Sequence, residues 1–333
     1  MIDKRLLKEM PETKPYIMKQ VAMQWFSLLC NIVFVALLAN VLSHIFYKTV
    51  NEQLLLLTTC GVILCIALRA VCVRKASLYS HEASCHVREQ LRMRLFKKLL
   101  EMKSGYTESA PTSELVQLSV EGIDQLEIYF GRYLPQFFYS MLAPVTLFLI
   151  LVWMDVKSAL VLLLCVPLIP MSIIAVQKFA KKLLSKYWSS YTTLGDSFLE
   201  NLQGLTTLKI YQADEWKQQE MNREAENFRK ITMKVLTMQL NSVSVMDLIA
   251  YGGAALGSIV AILGFQNGSL SLFQVICIVL LSSEFFIPLR LLGSFFHIAM
   301  NGIAASDKIF RILDKPQKQA EQDRKSTRLN SSH

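Results

Sequence analysis

Apolar positions in this chain gather into six long runs, close to 21–42, 54–73, 137–154, 158–176, 243–265 and 270–292. Each holds about 18–23 residues, and a helix rising about 1.5 Å per residue needs about 20 to cross a hydrocarbon core about 30 Å thick. A lone strand in that medium would leave its backbone groups unpaired, so the runs predict helices. The first run is too long for a leader's apolar region, and no small-residue cleavage site follows it. Two long polar stretches also keep helical spacing. Arg74–Met102 contains neither Gly nor Pro, and Leu91, Leu95 and Leu99 recur every four residues. Lys178–Asn201 and Trp216–Leu240 read as charged, amphipathic continuations of the fourth and fifth runs, with breaks expected near Ser104–Ser113 and Gly204–Thr207. One helix over 54–103 extends about 75 Å, more than twice the apolar thickness. The helices are therefore expected to project far from the bilayer, as levers against a partner.

Composition and charge sharpen this picture. Apolar residues make up 53% and charged residues 18%, which excludes a disordered chain and an ordinary soluble enzyme. The net charge of +9 is a matter of topology, since 31 of the 35 Lys and Arg residues fall on one side of the six runs. Lys48 and Lys157 lie on the other side, while Arg69 and Arg290 lie within runs. This asymmetry predicts cytoplasmic termini and cytoplasmic long loops. The basic residues form no single stripe or arm, so no nucleic-acid partner is expected. Seven cysteines without paired spacings predict neither a disulfide framework nor a zinc site.

Polar groups inside the runs are the candidate chemistry, because they are costly in lipid and usually face protein or a water-filled cavity. Ser283, Arg290, Ser294, His297 and Asn301 share one helix face at about 100° per residue. The stripe is expected to line a translocation pathway, with Arg290 attracting a substrate carboxylate; the alternative is packing against neighbouring helices. Glu284 lies about 120° off that face and is not expected to pair with Arg290. Arg69 is the second cavity candidate, and its alternative is snorkelling toward the nearby interface. Asp247 reads as an interfacial charge. His81 and Cys85 stand one turn apart without a second ligand cluster, so the segment reads as a solvated face and no metal is expected. Gly253 and Gly257 predict a close helix approach. Pro167 and Pro170 predict a kink. Asn267-Gly268-Ser269 reads as a tight turn rather than a glycosylation acceptor.

Two cytoplasmic segments carry a resemblance. Thr112-Ser113-Glu114-Leu115-Val116, followed by Val120-Glu121-Gly122-Ile123-Asp124, is similar to the first coupling region of type-1 ABC exporters. Glu200-Asn201-Leu202-Gln203-Gly204-Leu205-Thr206-Thr207-Leu208-Lys209-Ile210-Tyr211 is similar to the second, and more closely. The resemblance implies an all-α membrane protein: six transmembrane helices with long cytoplasmic helical extensions, the ABC exporter type-1 transmembrane fold. It implies that Ser113, Glu114, Thr206, Thr207, Lys209 and Tyr211 couple to a nucleotide-binding domain, and that Arg69, Ser283, Arg290, Ser294 and His297 border the substrate cavity.

A narrower resemblance, to CydD-type subunits of the cysteine/glutathione exporter needed for cytochrome bd assembly, rests on three further stretches. These are Arg132-Tyr133-Leu134-Pro135-Gln136, Pro167-Leu168-Ile169-Pro170 and, above all, Glu284 through His297. It implies a CydC-type heterodimer partner, a small thiol substrate, a bacterial inner membrane location and room for haem in the complex.

The expected organisation is a cytoplasmic segment over 1–20, the transmembrane domain over 21–313, a linker over 314–323 and a non-native tail over 324–333. No G-x-x-x-x-G-K-[ST] loop occurs, so ATP and Mg are assigned to a domain, own or separate, that this sequence does not contain. Rival readings are an exporter of lipid, peptide, drug or haem, and a non-transporting membrane scaffold.

Overall fold

The computed structural model describes residues 4–49, 51–102 and 112–314. A short α1 (Lys4–Glu9) and a tight turn (Pro11–Thr13) lead into α2 (Lys14–Phe46). The rod that follows, α3 (Glu52–Met102), runs uninterrupted for 51 residues. Three segments then stack into one column: α4 (Thr112–Gln117), α5 (Ile123–Ile128) and α6 (Leu134–Val152), joined by π-helical turns at Leu118–Gly122 and Tyr129–Tyr133. The rest comprises α7 (Val156–Cys165), α8 (Leu168–Gln203), α9 (Leu205–Ile210), α10 (Asp214–Gln266) and α11 (Leu272–Leu313). Among the described residues six helical segments are long and apolar enough to span a membrane, one for each apolar run. The chain is a multi-pass, all-helical membrane protein.

Two apolar cores hold it together. The membrane core joins Leu28 and Ile32 of α2, Leu147 of α6, Leu162 of α7, Met246 of α10 and Phe285 of α11. Small residues bring its helices close. A Cβ on Gly257 would lie 2.4 Å from Leu162, and one on Gly253 2.6 Å from Phe286, so the small-residue face of α10 receives α7 and α11. The kink expected at Pro167 falls at an interruption of the helical hydrogen bonding, where Val166 and Pro167 still keep right-handed helical dihedrals. Helix α7 stops at Cys165, α8 restarts at Leu168, and Pro170 falls in the first turn, where a missing amide hydrogen leaves no bond unmade. Gly268, at φ +71°, makes the turn into α11, whose start is fixed by a capping box between Ser271 and Gln274.

The second core, here called the base, lies on the side of the helical extensions. Leu6 and Met10 of the N-terminal segment are fully buried there with Leu91 of α3, Ile123, Tyr129, Phe130 and Ile309. The π-helical turn at Tyr129–Tyr133 helps to knit it. The Gly131 carbonyl accepts from Gln20 Nε2 at 3.2 Å and from Ser80 Oγ at 2.7 Å, which ties α2 and α3 to the column. On the same side the C-terminal half of α8 and the N-terminal half of α10 run together to α9 and form an arm, which meets the column where Tyr191 Oη donates to Glu121 Oε1 at 3.0 Å. Of the break expected near Ser104–Ser113, positions 104–111 lie outside the described residues and Thr112 already begins α4, whereas the break at Gly204 is present.

Candidate functional site

Three membrane helices converge on Arg69. Its Nη1 donates to Asn31 Oδ1 at 2.6 Å, and Asn31 Nδ2 donates to Glu284 Oε1 at 3.0 Å. Asn31 of α2 is buried, Glu284 of α11 half-buried and Arg69 of α3 exposed on this bundle. Tyr139 of α6 lies within electrostatic reach of both charges. Glu284 sits eight residues, about 12 Å, from the end of its apolar run at Leu292. Four residues after Glu284, Pro288 has no amide hydrogen to give the Glu284 carbonyl, so the backbone there is locally open. Arg69 therefore reaches a neighbouring helix rather than only the interface.

Arg290 meets a different partner. Its guanidinium donates to the carboxylate of Asp247 on α10, and the Tyr251 ring lies 5.7 Å from the guanidinium carbon. The polar stripe of α11 is otherwise modest. Ser283 and Ser294 are half-buried and turn their hydroxyls back to the carbonyls of Leu280 and Leu291. The side chain of His297 lies outside the described residues. Asn301 Oδ1 is buried and finds no hydrogen-bond partner among the described residues. The stripe and Arg69 thus belong to two separate polar contacts, both involving α11.

The coupling candidates also divide. Glu114 is largely enclosed, its side chain 13% exposed, and it binds Lys308 and Arg311 near the end of α11, each at 3.2 Å. The side chain of Ser113 lies outside the described residues. On the arm the opposite holds. Thr206, Thr207, Lys209 and Tyr211 are all exposed, and α9 buries none of its residues. Ile210 and Tyr211 stand 73% and 78% exposed at the tip. Lys209 closes a local ion pair with Asp214 at 2.5 Å; this hydrogen bond raises the lysine pKa and lowers that of the aspartate.

Sequence reasoning passed over Asn31, and it set Glu284 and Asp247 aside. A signal existed for each: a carboxamide inside the first apolar run, and acids inside or beside the fifth and sixth. Their partners lie 38, 253 and 43 residues away, beyond the reach of any periodicity.

Comparison with known proteins agrees with this architecture. A family model described as ABC transporter transmembrane region matches residues 17–289. An uncharacterized ABC transporter ATP-binding protein of Haemophilus influenzae is 56% identical over 292 residues, 88% of this chain and 52% of that protein. The glutathione/L-cysteine transport system ATP-binding/permease protein CydD of the same organism is 25% identical over 305 residues, 89% of this chain and 52% of its own length. CydD of Escherichia coli is 26% identical over 289 residues, 84% and 49% of the two chains. The chain spans about half the length of the curated relatives it matches.

Proposed function

The chain belongs to the ABC transporter transmembrane family, and from that premise we propose that it is one membrane half of an ATP-driven exporter of small thiols of the cysteine or glutathione kind. Membership in the family implies work with a nucleotide-binding domain. The observation that carries the reading is the arm: two long helices end in an apolar tip where Ile210 and Tyr211 are exposed among the described residues. A nucleotide-binding domain on the cytoplasmic side is the natural cover.

The chain's own helices supply a route for force. Helix α10 is continuous from the tip to the membrane, and Asp247 lies 33 residues along it, about 50 Å from Asp214. Displacement of the tip would move Asp247 and, through its ion pair, Arg290 on α11. Glu284 lies six residues before Arg290 on α11, about 9 Å away. ATP-driven movement of the arm would thus change the surroundings of Glu284, Asn31 and Arg69.

Thiol cargo rests on the names of the two relatives at 25% and 26% identity. A second half of CydC type and haem in the complex belong to the same reading. An amphipathic cargo is the second reading, favoured by an open groove of about 640 Å³ between α8 and α10, lined by Leu183, Met233, Lys234, Met238 and Ser242. The test is ATPase stimulation and efflux in proteoliposomes holding the complete transporter. Stimulation by L-cysteine or glutathione supports the first reading; stimulation by lipids or drugs alone overturns it.

A further inference from the structure

Among the described residues two arrangements of opposite charge lie in the membrane helices, and they are built differently. Arg290 and Asp247 touch directly. Arg69 and Glu284 are instead held apart by the neutral carboxamide of Asn31, which accepts from the cation and donates to the anion. Separated charges in a low-dielectric setting are less stable than a direct pair. A guanidinium has five donors, and Nη1 is the one that reaches Asn31. Arg69 is also exposed on this bundle at a depth where lipid would otherwise be its neighbour, so a water-filled cavity or a second half must meet it.

We propose that Arg69, Asn31 and Glu284 form a recognition site for the charged head of a zwitterion: a carboxylate and an ammonium held about one carbon apart, as in an α-amino acid. This deepens the exporter reading and rests on it. The chemistry is complementary at each point. A ligand carboxylate binds the guanidinium through paired N–H bonds. Its ammonium binds the Glu284 carboxylate. Asn31 has two N–H donors and a carbonyl oxygen with two lone pairs, so it can keep a bond to either end of the ligand. The site holds one positive and one negative group, and a zwitterion adds no net charge to the low-dielectric interior. A carboxylate or an amine alone would leave one side chain without its counterpart. The thiol plays no part in this contact; selectivity here is for the amino-acid head.

The test uses the complete transporter in proteoliposomes, with ATPase stimulation titrated by four probes. L-Cysteine has both charges and the thiol, cysteamine lacks the carboxylate, 3-mercaptopropionate lacks the ammonium, and L-serine lacks the thiol. Half-maximal concentrations for cysteamine and 3-mercaptopropionate are expected to lie about 10- to 100-fold above that of L-cysteine. Glu284→Gln should erase the advantage of L-cysteine over 3-mercaptopropionate, and Arg69→Gln its advantage over cysteamine. A misfolded variant would weaken every probe alike, so the crossed pattern distinguishes recognition from structure. Equal potency of the two one-charge thiols and L-cysteine overturns the site, even with the thiol cargo upheld. L-Serine acting as well as L-cysteine, with both substitutions crossing as described, supports the site and overturns the thiol cargo. No response to either zwitterion overturns the site.

Discussion

The base and the arm are both helical extensions beyond the membrane, yet they are built on opposite plans. In the base the N-terminal segment is sealed in by Leu6 and Met10, and aromatic side chains from the column fill the space beneath. Charges close its rim: Arg5 reaches Asp314 at 2.6 Å with its guanidinium over the Phe310 ring, Glu114 takes Lys308 and Arg311, and Arg94 takes Glu9. The arm buries little. Tyr187 and Tyr191 rest on Phe228, but Phe198, Leu202, Leu205, Ile210, Tyr211 and Trp216 are exposed. Among the described residues the base is closed by its own side chains, whereas the arm leaves large apolar groups uncovered. A patch of large apolar groups with no cover of its own marks an interaction site.

The sharpest way to break that contrast is a matched pair of truncations. Phe130→Ala empties a fully buried ring position and should lower the stability of the complete transporter in detergent by about 3–5 kcal/mol, read as a large drop in Tm. Ile210→Ala should leave stability within about 0.5 kcal/mol. Its effect should appear as ATP hydrolysis without matching transport. If Ile210→Ala lowered Tm as much as Phe130→Ala, the arm would be packed rather than waiting for a partner.

The membrane core supplies an intermediate case. Gly257→Val places a side chain where Leu162 already lies, and overpacking of that kind should cost about 1–3 kcal/mol. Gly252, on the same helix with open space around its Cβ position, is the control. Equal Tm values for Gly257→Val and Gly252→Val would show that α10 and α7 do not approach through this face. A smaller effect is expected at the rim of the base. Glu114→Ala removes the acceptor for two cations and should cost about 1 kcal/mol, because Arg311 and Lys308 still reach water. A loss of coupling with unchanged Tm would instead give Glu114 the exposed role the sequence suggested.

Much of this contrast can be read in the chain, for physical reasons. Hydrocarbon demands continuous apolar runs, so the six spans are local signals. The unbroken stretch from Arg74 to Met102 contains nothing that ends a helix, and α3 continues through it. What holds one helix to another is not local. Glu114 lies in a segment that resembles a coupling element, but basic residues at the end of α11 draw it inward, and their identity as its partners depends on the folded column. Pro167 was expected to bend a helix, and it is there, with Pro167 unable to donate and Pro170 three residues on, that the hydrogen bonding is interrupted between α7 and α8. Asn31 could be seen as an oddity in an oily run. Its position between Arg69 and Glu284 required three helices already packed.

The faintest difference between base and arm is their response to acid. Glu12 accepts from His86 and Gln90, both at 2.7 Å, and these bonds, His86 first, hold its carboxyl below the ordinary value of 4.5. A carboxyl whose folded pKa is depressed contributes stability above its ordinary value and loses it as pH falls through the folded one. Asp214 is depressed in the same way by Lys209, but those two groups lie five residues apart at one turn of chain, whereas Glu12 joins the N-terminal segment to α3. Protonation should therefore loosen a tertiary contact in the base and only a local one in the arm. Amide protection factors in the segment 4–13, taken relative to the intrinsic exchange rate at each pH, should fall as the pH is lowered below about 4.5, the onset set by the ordinary carboxylate value. Glu12→Gln should abolish that loss of protection, while Asp214→Asn leaves it in place. An unchanged acid response in Glu12→Gln would mean that Leu6 and Met10 alone hold the segment down.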